Sequence, residues 1–298
     1  MKKKISKNKN FQSRIVVGDT IKILKKIPNK FKFDVVIADP PYNIGKDFGN
    51  NNDKMDIKKY TNWSKRWIEQ CFRLLTDDGV IYIYGFHEIL ARISVEYSIN
   101  EQRWLAWHYT NKVVPSSSFW QRSHEAILCL WKPGTKRPKL ELNQIREPYT
   151  ESFLKNAAGK IRKNTKGRFG KSKNTIYNAH SKGALPRDVI HVPALAGGAG
   201  KSERWFVCKK FNPKKARPPS ELSKHSNHPV IKHPTQKPME LTKKLILSKI
   251  NGTGNVLIPF AGSGSECVVA KTLRIPFLGI DINPNYVNFG KSWLKNVK

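Results

Sequence analysis

Two hydrophobic rhythms alternate near both ends of the chain, and both fade in the middle. Ile15-Val16-Val17 is a short β-branched run that stops at Gly18-Asp19. From Thr20 to Ile27 apolar residues recur at helical spacing, with Thr20 as the expected N-cap. Phe33 to Ala38 is an almost continuous apolar run ending at Asp39-Pro40-Pro41-Tyr42. Such a run predicts a strand buried on both faces, as in a parallel sheet. Tyr60 to Leu75 reads as an amphipathic helix ended by Thr76-Asp77-Asp78-Gly79, then Val80 to Tyr84 as a strand and Glu88 to Ser98 as a helix. Strand-like pieces follow at Trp104–Tyr109 and Glu125–Trp131, whose tryptophans are expected in the core. The rhythm resumes at His233. A helix is predicted over Pro238–Ile250, a strand over Asn255–Ile258, a Gly-rich turn at 260–264 and a helix over Ser265–Leu273. A strand over Pro276–Ile280 ends in Asp281, and a last helix runs from Asn283 to Val297 with Pro284 at its first position. Alternating strands and helices predict an α/β fold.

Charge explains the quiet middle. Between Lys155 and Lys224 there are 18 Lys plus Arg against three acids, with frequent Gly, Ser, Asn and Pro. Five more lysines fall in the first ten positions, and the 298-residue chain carries a net charge of +33. A compact body this basic calls for an anionic partner, nucleic acid first and a membrane surface second. No apolar run reaches the roughly 18 residues of a membrane span. The basic start lacks an apolar stretch after it, so no signal peptide is expected. Cys71, Cys129, Cys208 and Cys267 form no CxxC pair, which argues for free thiols and a cytoplasmic setting. His225, His228 and His233 with Cys208 lack ligand spacing on one element, so no metal site is expected.

Two local patterns carry chemistry. The first is strand, Gly-rich turn, helix at 255–273, followed 17 residues after Gly264 by Asp281 at a strand end. Glycines admit a ligand close to the backbone, and a strand-end acid suits ribose hydroxyls. The second is Asp39-Pro40-Pro41-Tyr42. Its two prolines fix φ and remove N–H donors, leaving the Asp39 carboxylate and the Pro40 carbonyl as acceptors beside the Tyr42 ring. Leu195 to Ser202 (LAGGAGKS) nearly matches a phosphate-binding loop but lacks its first glycine, and reads as an ordinary loop.

Together these patterns resemble the permuted β-group of DNA amino-methyltransferases that use S-adenosylmethionine (AdoMet). The matching pieces are Gly18-Asp19, ADPPYNIGKDFGN (38–50), TDDGVIYIYG (76–85), SHEAILCLWK (123–132), HPTQKP (233–238), PFAGSG (259–264) and GIDINP (279–284). The resemblance implies a doubly wound Rossmann-like methyltransferase sheet, circularly permuted, with a basic target-recognition insertion. It divides the chain into a basic tail (1–10), a catalytic half (11–144), a DNA-binding insertion (145–232) and a cofactor half (233–298). It implies that Asp39 and the Pro40 carbonyl accept both N–H groups of an exocyclic amine, that Pro41 stiffens the corner, and that Tyr42 stacks on a flipped base. Asp at the first motif position implies N6 of adenine; N4 of cytosine, an RNA or protein amine, or an inactive DNA-binding relative are the alternatives.

For the cofactor, the resemblance implies Phe260 against the adenine and Asp19 on its amine. Gly262, Ser263 and Gly264 line the methionine side, Asp281 binds the ribose, and Thr235 and Lys237 hold the methionine carboxylate. One departure stands out: Ile258 occupies a position where relatives carry an acid. In the insertion, Lys166, Arg168, Lys171 and Lys173 are expected on DNA phosphates, with Arg162, Asn164 and Asn174 offered to base edges. Phe48 could contact DNA or close over the cofactor. The expected partner is double-stranded DNA, with a homodimer and a cognate restriction endonuclease as further partners of the family. The 205–230 stretch has no assigned role.

Overall fold

The structure is a computed structural model that describes residues 12–45, 53–111, 117–162, 166–167, 170–171, 174–196, 202–212 and 214–297; the side chains at 162, 166–167 and 170–171 lie outside that description. The chain forms two compact units, one of residues 1–140 with 188–298 and one of Glu141–Arg187.

The first strand, β1 (Arg14–Val17), leads into α1 (Thr20–Lys26). The N-cap is Asp19, whose carboxylate accepts from the Lys22 amide; Thr20 instead donates its hydroxyl to the Pro259 carbonyl. Next come β2 (Phe33–Ala38) and α2 (Ile57–Leu74). The helix starts three residues before the expected Tyr60 because Asp56 caps it, accepting from the Lys58 and Lys59 amides. β3 (Leu75–Gly85) absorbs the expected turn at Thr76–Gly79, with a register shift against β2 between Phe33 and Val35. Then follow α3 (His87–Ser94), β4 (Gln102–His108) and β5 (His124–Leu130).

The Glu141–Arg187 unit holds α4 (Glu151–Asn156) and four two-residue strands. β6 (Ile161–Arg162) pairs with β9 (Thr175–Ile176), and β7 (Lys166–Gly167) with β8 (Gly170–Lys171). Tyr149 stacks on Phe153 at 4.7 Å, and Tyr177 meets Phe153 edge-on at 5.5 Å.

From residue 188 the chain belongs to the larger unit, so the separate unit, Glu141–Arg187, differs from the 145–232 insertion that the family resemblance implies. β10 (Val189–His191) extends the main sheet by pairing with β4. β11 (Phe206–Cys208), β12 (Ala216–Arg217) and β13 (Val230–Ile231) form a small antiparallel sheet. The remaining elements are α5 (Met239–Leu247), β14 (Val256–Ile258), α6 (Ser265–Thr272), β15 (Phe277–Asp281) and α7 (Pro284–Lys295), the last with Pro284 in its first turn as expected. The small sheet packs on α6 and α7: Val207 and Ala216 join Val268, Phe289 and Trp293 in one cluster. Trp205 stacks on Trp293 at 5.4 Å, and the Ala216 amide donates to Ser292 Oγ.

The main sheet has the order β1-β15-β14-β2-β3-β5-β4-β10. β1 through β3 in that order are parallel, and β5 runs antiparallel to both β3 and β4. From Val35 on, side chains of β2 alternate between faces: Val35 and Ile37 join α5, α6 and α7, whereas Val36 and Ala38 join α1, α2 and α3, as does Phe33 ahead of the register shift. Both faces are buried, as the apolar run requires. Ile258, at the position of the missing acid, is core. No described helix is long and apolar enough to cross a membrane.

Candidate active site

Sheet order determines where a ligand can sit. Connections lead away in opposite directions from the adjacent strands β14 and β2, which creates a crevice outside their carboxyl ends. Phe260 follows β14, Asp39 follows β2, Asp281 ends β15 and Asp19 follows β1. All four line one cavity of about 370 Å³. Pro40, Pro41, Tyr42, Thr235, Gly262 and Ser263 line it too. Gly264 shapes the loop from outside that lining: its φ is +83°, and a Cβ there would lie 3.1 Å from Gly290 Cα.

The Asp39–Tyr42 corner is braced from several sides. Tyr60 of α2 donates to the Pro41 carbonyl at 2.7 Å. Asn43, at φ 59°, exchanges two hydrogen bonds with the Met55 backbone and so closes the base of the intervening loop. Tyr42 donates towards Asp39 Oδ1 at 3.0 Å and Glu125 Oε2 at 3.1 Å, and Phe86 meets its ring edge-on at 5.1 Å.

Lys237 lies outside the cavity lining. Its ammonium, 4% exposed, donates to Asp39 Oδ1 at 2.8 Å and Oδ2 at 2.9 Å, with Glu125 Oε2 at 3.8 Å. In this structure it is a partner of the DPPY acid and has no place on the wall where a cofactor carboxylate was expected to meet it. Burial lifts the Asp39 pKa above the ordinary carboxylate value, and Lys237 offsets that only in part. Burial alone would lower the Lys237 pKa, but Asp39 and Glu125 outweigh it and hold the ammonium protonated. Burial, then Asp39 and Glu125, push the Tyr42 phenol well up, so it stays a donor.

A further acid escaped the sequence reading. Glu266, in the first turn of α6, is buried, lines the cavity and accepts from Ser265 Oγ at 2.9 Å. Burial and then the Asp39 charge push its pKa up to about 7. Glu125 and Glu266 sit inside ordinary apolar patterns, so only tertiary placement reveals them.

The other end of the cavity is aromatic and apolar. Phe260 meets Trp63 at 5.6 Å and Trp67 at 5.2 Å. Ile44, Met55 and Ile282 line the same space although they are exposed. Trp63 and Ile282 were also not singled out from sequence; a tryptophan on an amphipathic helix looks like core. Asp281 accepts from the Gly262 amide at 2.7 Å and the Asn283 amide at 2.8 Å, and burial raises its pKa against those bonds. Asp19 keeps its N-cap bond.

Lys166 and Lys171 are register partners in the β7–β8 pair of the Glu141–Arg187 unit. Their side chains, and that of Arg162, are outside the described set, as are Asn164, Arg168, Lys173, Phe48 and the tail at 1–10. Asn174 is exposed.

Residues 33–292 match the N6/N4 DNA methylase family. The chain belongs to that family. Type II methyltransferase M.HpaI of Haemophilus parainfluenzae is 30% identical over 291 residues, spanning 94% of this chain and 74% of that protein. DNA adenine methyltransferase YhdJ of Escherichia coli (strain K12) is 27% identical over 296 residues, spanning 94% and 82%. The solved M1.HpyAVI–SAM complex superposes with a TM-score of 0.53 at 19% identity, over 94% of this chain and 98% of that one, and shares the fold.

The methylase takes its methyl group from AdoMet. The residues present fit that molecule. The cavity lies within the ~300–1,000 Å³ range of small-molecule sites. It offers an apolar, aromatic end, acids at two neighbouring strand ends, and a loop that leaves room only for glycine, since a Cβ on Gly262 (φ +49°) would lie 2.6 Å from His233 Nε2. Ser263 Oγ is buried in it with no hydrogen-bond partner among the described residues.

Proposed function

We propose that this DNA methylase modifies N6 of adenine, with Asp39 and the Pro40 carbonyl as the acceptors of the target amine. The observation that carries the reading is the Asp39 carboxylate at the cavity wall, held by Lys237 and Tyr42. An exocyclic amine is a poor nucleophile because its lone pair is delocalised into the ring. Two acceptors at the DPPY corner, one on each N–H, draw the nitrogen towards sp³ and localise that pair. Lys237 keeps Asp39 ionised, hence acceptor-only. Tyr42 presents its ring to a base flipped out of the duplex. AdoMet, when bound, supplies the electrophilic methyl group. Phe260, Trp63 and Ile282 would hold its adenine, Asp281 its ribose, Asp19 the adenine amine, and Thr235 with the 262–264 loop its methionine end. Asp at the first motif position and the likeness to an adenine methyltransferase support N6 over N4.

DNA recognition is assigned to the Glu141–Arg187 unit, with Lys166, Arg168, Lys171 and Lys173 on phosphates. The likeness to Type II methyltransferases supports a cognate restriction endonuclease as a partner.

Labelled AdoMet and mixed duplex DNA test the reading. Asp39→Ala should abolish transfer while AdoMet and DNA still bind. Loss of both binding activities together would make Asp39 a structural residue and overturn its role.

A further inference from the structure

The small β12-β11-β13 sheet brings together three side chains that are far from the methylase cavity in chemistry and role. Cys208 ends β11, His225 ends the 3-10 segment Pro219–His225, and His228 lies just before β13. One donor atom from each falls within 4.8 Å of the other two. Cys208 and His225 are buried and His228 is half-buried. The Nδ1 atoms of both histidines are buried with no hydrogen-bond partner among the described residues. Two unsatisfied ring nitrogens beside a thiol are costly in an apolar pocket unless something binds them.

The surroundings hold this triad in shape. Phe211 meets the His225 ring at 5.9 Å and the His228 ring at 4.8 Å, and Phe206 meets His225 at 5.5 Å. The His228 amide donates to the His225 carbonyl, the Lys209 amide donates to the Pro229 carbonyl, and Cys208 is in register with Val230. Arg217, a cation whose charge acts on His225, is paired with Glu221 at 3.1 Å.

We propose that Cys208, His225 and His228 bind one divalent transition-metal ion, zinc being the match to the donor set. A thiolate with two imidazoles suits zinc, at ~2.3 Å from sulfur and ~2.0–2.1 Å from nitrogen. Tetrahedral geometry then needs donors ~3.3–3.6 Å apart, so no pair has to close by more than about 1.5 Å, within reach of χ rotation. The Cys208 thiol releases its proton on binding. Solvent, reaching the half-buried His228 side, completes the fourth position.

The ion's role is structural. The sheet packs on α6 and α7, and β13 runs into the 233–238 segment that carries Lys237. A metal staple here therefore fixes the chain just ahead of the Asp39 counter-ion. The spacing that hid the site from sequence reading is Cys-x16-His-x2-His across a strand, a loop and a 3-10 turn.

Full-length protein without a histidine tag, purified in chelator-free buffer, decides the matter by elemental analysis and by Co²⁺ titration. We expect about one zinc per chain, and a thiolate-to-cobalt charge-transfer band when Co²⁺ replaces it. His228→Gln and Cys208→Ser should each weaken zinc retention by more than ~10-fold, while His233→Ala keeps the metal. Chelation should lower the melting temperature of the parent protein and leave that of His228→Gln unchanged. A parent protein that holds no zinc and gives no charge-transfer band with added Co²⁺ overturns the proposal. So does equal metal content in the parent and both ligand variants. Neither readout depends on methyl transfer.

Discussion

The Lys237 ammonium donates to both carboxylate oxygens of Asp39, at 2.8 and 2.9 Å, in a buried cluster with the charges of Glu125 and Glu266 nearby. The lysine of the HPTQKP segment thereby sets the charge state of the DPPY acid. Lys237→Met leaves that acid buried without its cation, at a cost of about 3–5 kcal/mol. Asp39 already titrates above the ordinary carboxylate value. In the role proposed for it Asp39 is an anion, so turnover should be lost as pH falls through its pKa. The acid limb of the single-turnover pH profile should therefore rise by about one unit or more in Lys237→Met, and Lys237→Arg should restore most of it. An unmoved acid limb would remove Lys237 from this role.

Glu266 makes stability depend on pH in the opposite sense to a salt-bridged acid. Its folded pKa is about 7 against an ordinary 4.5. Below 4.5 both folded and unfolded states are protonated and stability is complete; between 4.5 and 7 only the unfolded state ionises, and stability falls. The loss amounts to about 3 kcal/mol. Glu266→Gln should flatten this slope, as read from denaturant midpoints at about pH 5 and about pH 7.5. A parent protein equally stable at both values would contradict the burial argument.

Gly262 tests the cofactor wall. Gly262→Ala places a Cβ 2.6 Å from His233 Nε2 at a φ of +49°. AdoMet affinity measured by calorimetry should drop by about tenfold or more, an effect of about 1.4 kcal/mol. Adding His233→Ala should recover part of it by removing the clash. Unchanged affinity in the single variant would move the cofactor away from this loop.

The parts of this site that could be read from sequence are those where chemistry is local. Asp19, Asp39, Gly262 and Asp281 each sit at or just after a strand end, where a turn residue stands out against an apolar run. Circular permutation was legible from the order of the motifs, through the family resemblance, and β1 and β15, from opposite ends of the chain, are neighbours in the sheet. Glu125, Glu266 and Trp63 were not legible, because each occupies an apolar-patterned element and acquires its role from what packs against it. The 188–232 stretch misled in another way. Its basic surface hides β10 on the sheet edge and a small sheet anchored by Trp205 on Trp293. Thr20 misled more simply: Asp19 one residue earlier is the better cap.

The basic insertion predicts a salt slope. Each phosphate contact contributes about −0.9 to the slope of log K against log salt. Replacing Lys166, Arg168, Lys171 and Lys173 together by Ala should reduce that slope by about 3 to 4, with AdoMet affinity unaffected. A slope equal to that of the parent protein would mean that these residues face solvent.

The most direct test of the central claim is nucleoside mass spectrometry on duplex DNA incubated with the protein and AdoMet, followed by methylation-sensitive sequencing. The expected product is N6-methyladenine, confined to one short sequence motif and lost in Asp39→Ala. N4-methylcytosine as the sole product, or no methylated base at all, would contradict it.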